Sequence, residues 1–257
     1  MRLALILALL LAPAAASADD QSPAPDNAPK PSPDFLFGRP RGSAGVRGSW
    51  LFARADSDWY RFVTAPDQLT IERRDFNAPG IGGNVAFVVA PRMDAVFDVE
   101  YNQTSIDSEY RNFVDNNRQP ISQRTLLSQV SLTGGVKVAV TPRGRQIGTY
   151  AWVPRGIVPY VGAGGGMLFH RLRQAGDFID VLTTDRAIFY DTFITSGWTP
   201  AAHVNAGVDF HVARQAYATF DARYLWASGR MDRRQFVGFD DLDLAGLRTS
   251  VGVNFLF

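Results

Sequence analysis

The chain has 257 residues, a formal net charge of +1 and no cysteine. The missing cysteine excludes disulfides, thiol catalysis and thiolate metal sites, and a balanced charge with no polybasic block excludes a nucleic-acid surface. The length suits one large all-β domain or two small ones, and no stretch beyond the leader reaches the roughly 18–20 apolar residues of a membrane-spanning helix.

Residues 1–18 read as a secretory leader. Arg2 supplies the positive start, Leu3 to Leu11 the apolar run, and Pro13 the break. Ala16-Ser17-Ala18 is a small-x-small site, so cleavage is expected after Ala18. The run is too short for an anchor helix, and the junction has no lipidated cysteine. Residues 19–42 carry Pro23, Pro25, Pro29, Pro31, Pro33 and Pro40 among polar residues. Such a tether buries too little apolar surface to order itself. Phe35-Leu36-Phe37 interrupts it and is left either packing on a periplasmic mouth or idle.

From residue 43 to 257 the pattern has a period of two, repeated in eight segments. In 44–54, Val46, Gly48, Trp50 and Phe52 share one face and Arg47, Ser49 and Leu51 the other. In 80–90, Val85, Phe87 and Val89 oppose Asn84 and Ala86, and Pro91-Arg92-Met93-Asp94 is a tight turn. In 95–105, Ala95, Phe97, Val99 and Tyr101 oppose Asp98, Glu100 and Asn102. In 123–140, Leu126, Val130, Leu132, Val136 and Val138 oppose Gln129, Ser131, Thr133 and Lys137. The fifth segment, 157–171, is Gly-rich and faces ambiguously, with Val161, Ala163, Met167 and Phe169 assigned outward. In 199–212, alternate residues from Ala202 to Val212 oppose His203, Asn205, Gly207, Asp209 and His211. In 216–227, Ala218, Phe220, Ala222, Tyr224 and Trp226 oppose Tyr217, Thr219, Asp221 and Arg223. The eighth runs from Leu247 to Phe257, with Arg248, Ser250, Gly252 and Asn254 on its polar face.

A greasy row that ends on Val251, Val253, Phe255 and Phe257 suits lipid on one side and a polar lumen on the other. The connections at 91–94 and 213–215 are tight, and 141–156 is longer with Pro142, Gly144, Pro154 and Gly156. Those at 55–79, 107–122, 172–198 and 228–243 are long. This alternation predicts a closed eight-stranded antiparallel transmembrane β-barrel, all-β, with long extracellular loops and short periplasmic turns.

The run Pro159-Tyr160-Val161-Gly162-Ala163-Gly164-Gly165-Gly166, the hairpin from Gly207-Val208-Asp209-Phe210 to Phe220-Asp221-Ala222-Arg223-Tyr224, and the closing Val251 to Phe257 together resemble the small eight-stranded outer-membrane barrel families. These are the families of the OmpA transmembrane domain, OmpW and the opacity-type surface proteins, and the resemblance covers about residues 43–257. It implies a bacterial outer-membrane location and passage through the barrel-assembly machinery, which reads a terminal aromatic pattern. The sequence has no peptidoglycan-binding domain after its eighth segment, so a cell-wall anchoring role does not carry over. The hydrophobic-ligand role of OmpW relatives has no matching residues here.

The polar faces gather a balanced luminal set: Arg47, Lys137, Arg223 and Arg248 against Asp98, Glu100, Asp209 and Asp221. Paired charges are far cheaper to hold in a narrow lumen than single ones, so a salt-bridge plug is favoured over a gated pore. Trp50, Phe52, Tyr101, Tyr224, Trp226, Phe255 and Phe257 read as lipid-facing girdle residues. His170, His203 and His211 are assigned inward. His203 and His211 lie eight residues apart on one strand, about 26 Å, so they share no metal. Ser228 and Ser250 stand in no motif with a histidine, which argues against acyl chemistry. Arg111, Arg118, Arg230, Arg233 and Arg234, with Tyr110, Phe113, Phe236 and Phe239, read first as ordinary solvated loops, and second as basic groups at the outer rim able to meet lipopolysaccharide phosphates. The resulting expectation is a monomeric, non-enzymatic barrel without a cofactor, with outer-membrane lipid and lipopolysaccharide as partners and a role in envelope integrity or surface interaction. A narrow channel for small or hydrophobic solutes is the second reading and a lipid-modifying enzyme the third.

Overall fold

A computed structural model describes residues 36–115, 117–147, 151–179 and 187–257. The expected leader, and the tether as far as Phe35, lie outside the described residues. Eight long strands dominate: β1 (Gly42–Ala53), β2 (Ala78–Ala90), β3 (Met93–Val114), β4 (Pro120–Ala139), β5 (Ile157–Ile179), β6 (Ile188–Ala213), β7 (Ala216–Gly229) and β8 (Gly246–Leu256). Each pairs antiparallel with the next, and β8 pairs with β1. The sheet closes on itself and has no edge, as a medium without water demands.

Partner residues followed round the ring from Leu247 pass through Tyr224, Val204, Ala163, Val136, Ala95, Phe87 and Gly42, which is bonded to Phe257. The circuit returns to β8 ten residues from its start (257 less 247). That stagger is about 33 Å along the strands, against about 38 Å across eight of them, which tilts the strands by about 40° and sets a backbone radius of about 8 Å. Side chains fill a tube of that width.

Below the projecting hairpins the outer surface is apolar over the whole membrane-level band. Val46, Trp50, Phe52, Ile81, Phe87, Phe97, Tyr101, Leu132, Val161, Met167, Trp198, Phe220, Trp226, Phe255 and Phe257 are all exposed there. The fifth strand's facing is settled: Val161, Ala163 and Met167 point outward, while Tyr160 and Leu168 are buried inside.

Four strands run further than their alternation predicts. β3 continues past residue 105 to Val114, β4 begins at Pro120, β5 reaches Ile179 and β6 starts at Ile188. Most of the expected loops at 107–122 and 172–198 are therefore tall β-hairpins. A membrane crossing takes about 9–11 residues, so these strands project well beyond it. The physical reason is a reversal of polarity. On β3 the outward row Phe97, Val99, Tyr101 becomes Gln103, Ser105, Asp107, while the inward row Asp98, Glu100, Asn102 leads to buried Ile106. On β5 the outward row passes from Met167 and Phe169 to Arg171 and Arg173, and the inward row gains Leu168 and Leu172. Outside the bilayer the exterior meets water and the interior becomes an ordinary apolar core.

That core is filled by the connections. Segment 54–77 folds back over the mouth with a short helix, Asp58–Val63, and a 3-10 turn, Arg73–Phe76. Trp59, Tyr60, Val63, Leu69, Ile71 and Phe76 pack against Ile106, Leu127, Leu168, Leu172 and Leu225 of the wall. Met231, Phe236, Leu242 and Leu244 of the connection between β7 and β8 complete it. Rings of Trp59, Tyr60 and Phe76 meet edge to face at 4.7–5.9 Å. Burial raises the Tyr60 phenol well above its ordinary range.

At the opposite end, the connection 140–156 is more than a turn. Gly144–Ile147 and Ala151–Pro154 pair with each other, and Leu36–Phe37 adds a third short strand against the latter. Leu36 and Trp152 are partners in this sheet and both are buried.

Trp59→Ala should remove about 3–5 kcal/mol from the head core. Proteolysis within 54–77 should rise, while the heat-modifiable gel band and β-rich circular dichroism persist. Loss of that band would show that the barrel itself depends on its plug.

Candidate functional site

The inward positions of the membrane-level strands converge on one charge cluster. Arg47 of β1 binds Asp98 and Glu100 of β3, the latter at 2.7 Å. Arg223 of β7 reaches Asp98 at 2.9 Å and Asp221 at 3.9 Å. Arg248 of β8 lies 3.3 Å from Glu100 and donates to Gln129 Oε1 of β4 at 3.0 Å. Three arginines thus face three carboxylates, and none of these side chains is more than 9% exposed. Nearer the short-turn end, Lys137 of β4 pairs with Asp209 of β6 at 2.6 Å. All eight charged positions singled out in the sequence lie in these two groups.

Several bonds cross the lumen between strands that are not neighbours. Asp98 on β3 and Arg223 on β7 stand on opposite sides of an eight-strand ring, as do Gln129 on β4 and Arg248 on β8. Such bonds fasten the register, since a slip of one residue would turn these charges toward lipid. Tyr160, Asn205 and Thr219 extend the network. Tyr160 donates to Asp221 Oδ2 at 2.8 Å, and Asn205 donates to the same oxygen at 2.8 Å. Thr219 donates to Asp209 at 2.9 Å. The Lys137 ammonium sits 3.8 Å from the centre of the Tyr160 ring. Sequence reading left Tyr160 unplaced because the Gly-rich stretch after it carries little period-two contrast. Its signal lies on the neighbouring strand, at its register partner Gly207: a Cβ there would collide with the Tyr160 hydroxyl.

Among the described residues the lumen keeps two small cavities. One of about 60 Å³ lies among Arg47, Asp98, His203, Asp221 and Arg223. A second of about 70 Å³ lies beneath Trp152, lined by Asp94, Lys137, Arg143, Asp209 and His211. Each has room for a few waters at most. Above the charge cluster the head core closes the far mouth. Asp243 ties its two covering segments together, accepting from Arg54 Nε at 2.9 Å and from the Asp56 amide at 3.0 Å.

The other candidates are dispersed. His170 is buried at head level against Gly229, where a Cβ would strike its ring. His203 lines the first cavity and His211 the second. Among the described residues there is no group of three or more potential metal ligands. Ser228 is exposed on the outer face of β7, away from buried His170, and Ser250 is inward beside the charge cluster. Among the described residues neither hydroxyl is hydrogen-bonded to a histidine. Of the loop groups, Arg111 donates to the Leu69 carbonyl at 3.0 Å and Phe236 is a core residue, while Arg118, Arg230, Arg233 and Arg234 are exposed. Trp50, Phe52, Tyr101, Trp226, Phe255 and Phe257 stand exposed on the outer wall, with half-buried Tyr224 beside Trp226.

An outward apolar belt, a closed eight-strand sheet and a charge-filled centre define a small transmembrane β-barrel of the outer-membrane type. No protein-family model and no curated protein matches the chain. Among solved structures it is similar to Neisserial surface protein A, at 10% identity over 87% of this chain and 97% of that one, with a TM-score of 0.44. It is similar to Ail, the attachment invasion locus protein of Yersinia pestis, at 12% identity over 85% and 100%, TM-score 0.44. It is also similar to the outer membrane protein OprG of Pseudomonas aeruginosa, at 12% identity over 86% and 99%, TM-score 0.42. At these identities no residue role transfers.

Asp98 serves two arginines, so Asp98→Asn should destabilise the barrel by about 3–5 kcal/mol, as for any buried pair stripped of one partner. Adding Arg223→Gln should recover part of the loss. The denaturant midpoint in lipid vesicles reads both, and a D98N midpoint equal to wild type would show that the cluster contributes nothing.

Proposed function

We propose that this protein is a non-conducting, non-enzymatic outer-membrane barrel that holds a rigid folded head outside the bilayer for envelope-stabilising or surface contacts. The observation that carries the reading is the double block along one axis. Paired ions fill the membrane-level lumen, and an apolar core of seventeen buried residues, among those described, fills the mouth above it. A solute path would have to break both. The terminal aromatic pattern of β8 supports delivery by the barrel-assembly machinery after leader-dependent export. In planar bilayers the wild-type protein should show no steady conductance. Large stable openings would overturn the sealed-barrel reading and restore the channel.

The head's outer wall supports lipopolysaccharide as a partner. Phe169 and Trp198 pack outward at 5.4 Å between ring centres. Exposed Arg171 and Arg173 follow directly on β5, where the apolar belt ends and headgroup phosphates begin. Guanidinium groups suit phosphate oxygens. An R171Q/R173Q variant should retain its heat-modifiable band and copurify with at least twofold less lipopolysaccharide phosphate. Equal phosphate would remove this contact from the account.

A further inference from the structure

The two ends of the barrel differ in charge. The long-hairpin end mixes signs: segment 54–77 carries Arg54, Arg61, Arg73 and Arg74 with Asp56, Asp58, Asp67, Glu72 and Asp75. The short-turn rim carries exposed Arg39, Arg41, Arg92, Arg145, Arg155 and Arg214 with half-buried Arg143, while Lys137 and His211 line the cavity inside it. The acidic side chains near them, Asp94 and Asp209, both point inward and are engaged by Arg143 and Lys137. Every connection at this end contributes. Arg41 enters β1, Arg92 lies in the β2–β3 turn, Arg155 precedes β5 and Arg214 lies in the β6–β7 turn. All four are exposed.

Each of the four also stands at the edge of the apolar belt. The Arg41 amide donates to the Phe257 carbonyl at 2.8 Å. Arg92 follows exposed Val89 by three residues, Arg155 precedes exposed Ile157 by two, and Arg214 follows exposed Val212 by two. A guanidinium on its aliphatic stem at that height lies level with lipid phosphates. We propose that the short-turn rim is a binding surface for anionic phospholipid headgroups, held by Arg41, Arg92, Arg155 and Arg214. Spacing round the ring favours many small headgroups over one large ligand, because the four arginines sit at four separate junctions and share no pocket. A basic residue at a charged lipid surface shifts partition by about fivefold. The attraction weakens with salt over a Debye length of about 10 Å at 0.1 M.

The inference rests on the barrel lying in a bilayer, which the heat-modifiable band of the reconstituted protein reports separately. The test uses the full chain in phosphatidylcholine bilayers with trace spin-labelled phosphatidylglycerol or phosphatidylcholine. Wild type is expected to hold the anionic probe severalfold more strongly at low salt, and to lose most of that preference in high salt. R41Q/R92Q/R155Q/R214Q should lower the preference to near one, and the matching four-lysine variant should keep it. R171Q/R173Q, at the other end, should leave most of it. The wild-type salt series tests the attraction without any substitution. Equal preference in wild type and the four-glutamine variant would overturn the proposal. So would a preference lost only with R171Q/R173Q. So would binding to purified peptidoglycan sacculi that the glutamine variant loses while its lipid preference stays intact.

Discussion

The structure follows from the need to close a sheet in a medium that offers no hydrogen bonds. Eight strands staggered by ten residues form a ring of about 8 Å backbone radius, so the polar face of every strand is forced against the polar faces opposite. Arginine and carboxylate side chains at that spacing leave room for a few waters and not for an open channel. Charge at these positions is tolerable only in balance, and the lumen obeys it with three arginines against three carboxylates and one lysine against one aspartate. The cross-barrel bonds are a consequence of narrowness. In a wider tube Arg223 and Asp98 would be separated by solvent.

Above the membrane the same strands work in the opposite sense. Water lies outside, so Asp107, Arg124, Arg171 and Arg173 point outward, and Ile106, Leu127, Leu168 and Leu172 turn inward as a core. This reversal decides what can be read from sequence. Where one phase persists, as in β1, β2, β7 and β8, strand limits and facings are legible to within about two residues. Where the phase flips, at 102–106 on β3 or 168–173 on β5, alternation cancels within the window and the strand looks like a loop. The luminal charges were legible because they keep period with their neighbours. Which of them pair across the ring was not, because that depends on the stagger. The plug was hidden for a related reason: Trp59, Tyr60 and Phe76 sit in a short helix and a 3-10 turn whose apolar partners are scattered over five strands.

The head core also constrains assembly. Its walls are Ile106, Leu127, Leu168, Leu172, Ala201 and Leu225, contributed by β3, β4, β5, β6 and β7, and its lid comes from the two segments joined through Asp243. No part of it is complete until those strands are side by side. Segment 54–77 alone has one six-residue helix and one four-residue turn, too short to hold structure without packing. The head is therefore not a soluble domain carried on a barrel. It is the upper half of the barrel's own interior, and it forms as the ring closes. That dependence runs one way. The membrane-level cluster draws on β1, β3, β7 and β8 and needs nothing from the head, so loosening the plug should uncover the mouth without unpinning the register below. Contacts made by the head are then insulated from the bilayer-spanning half, which suits a surface presented to other molecules better than a gate coupled to a pore.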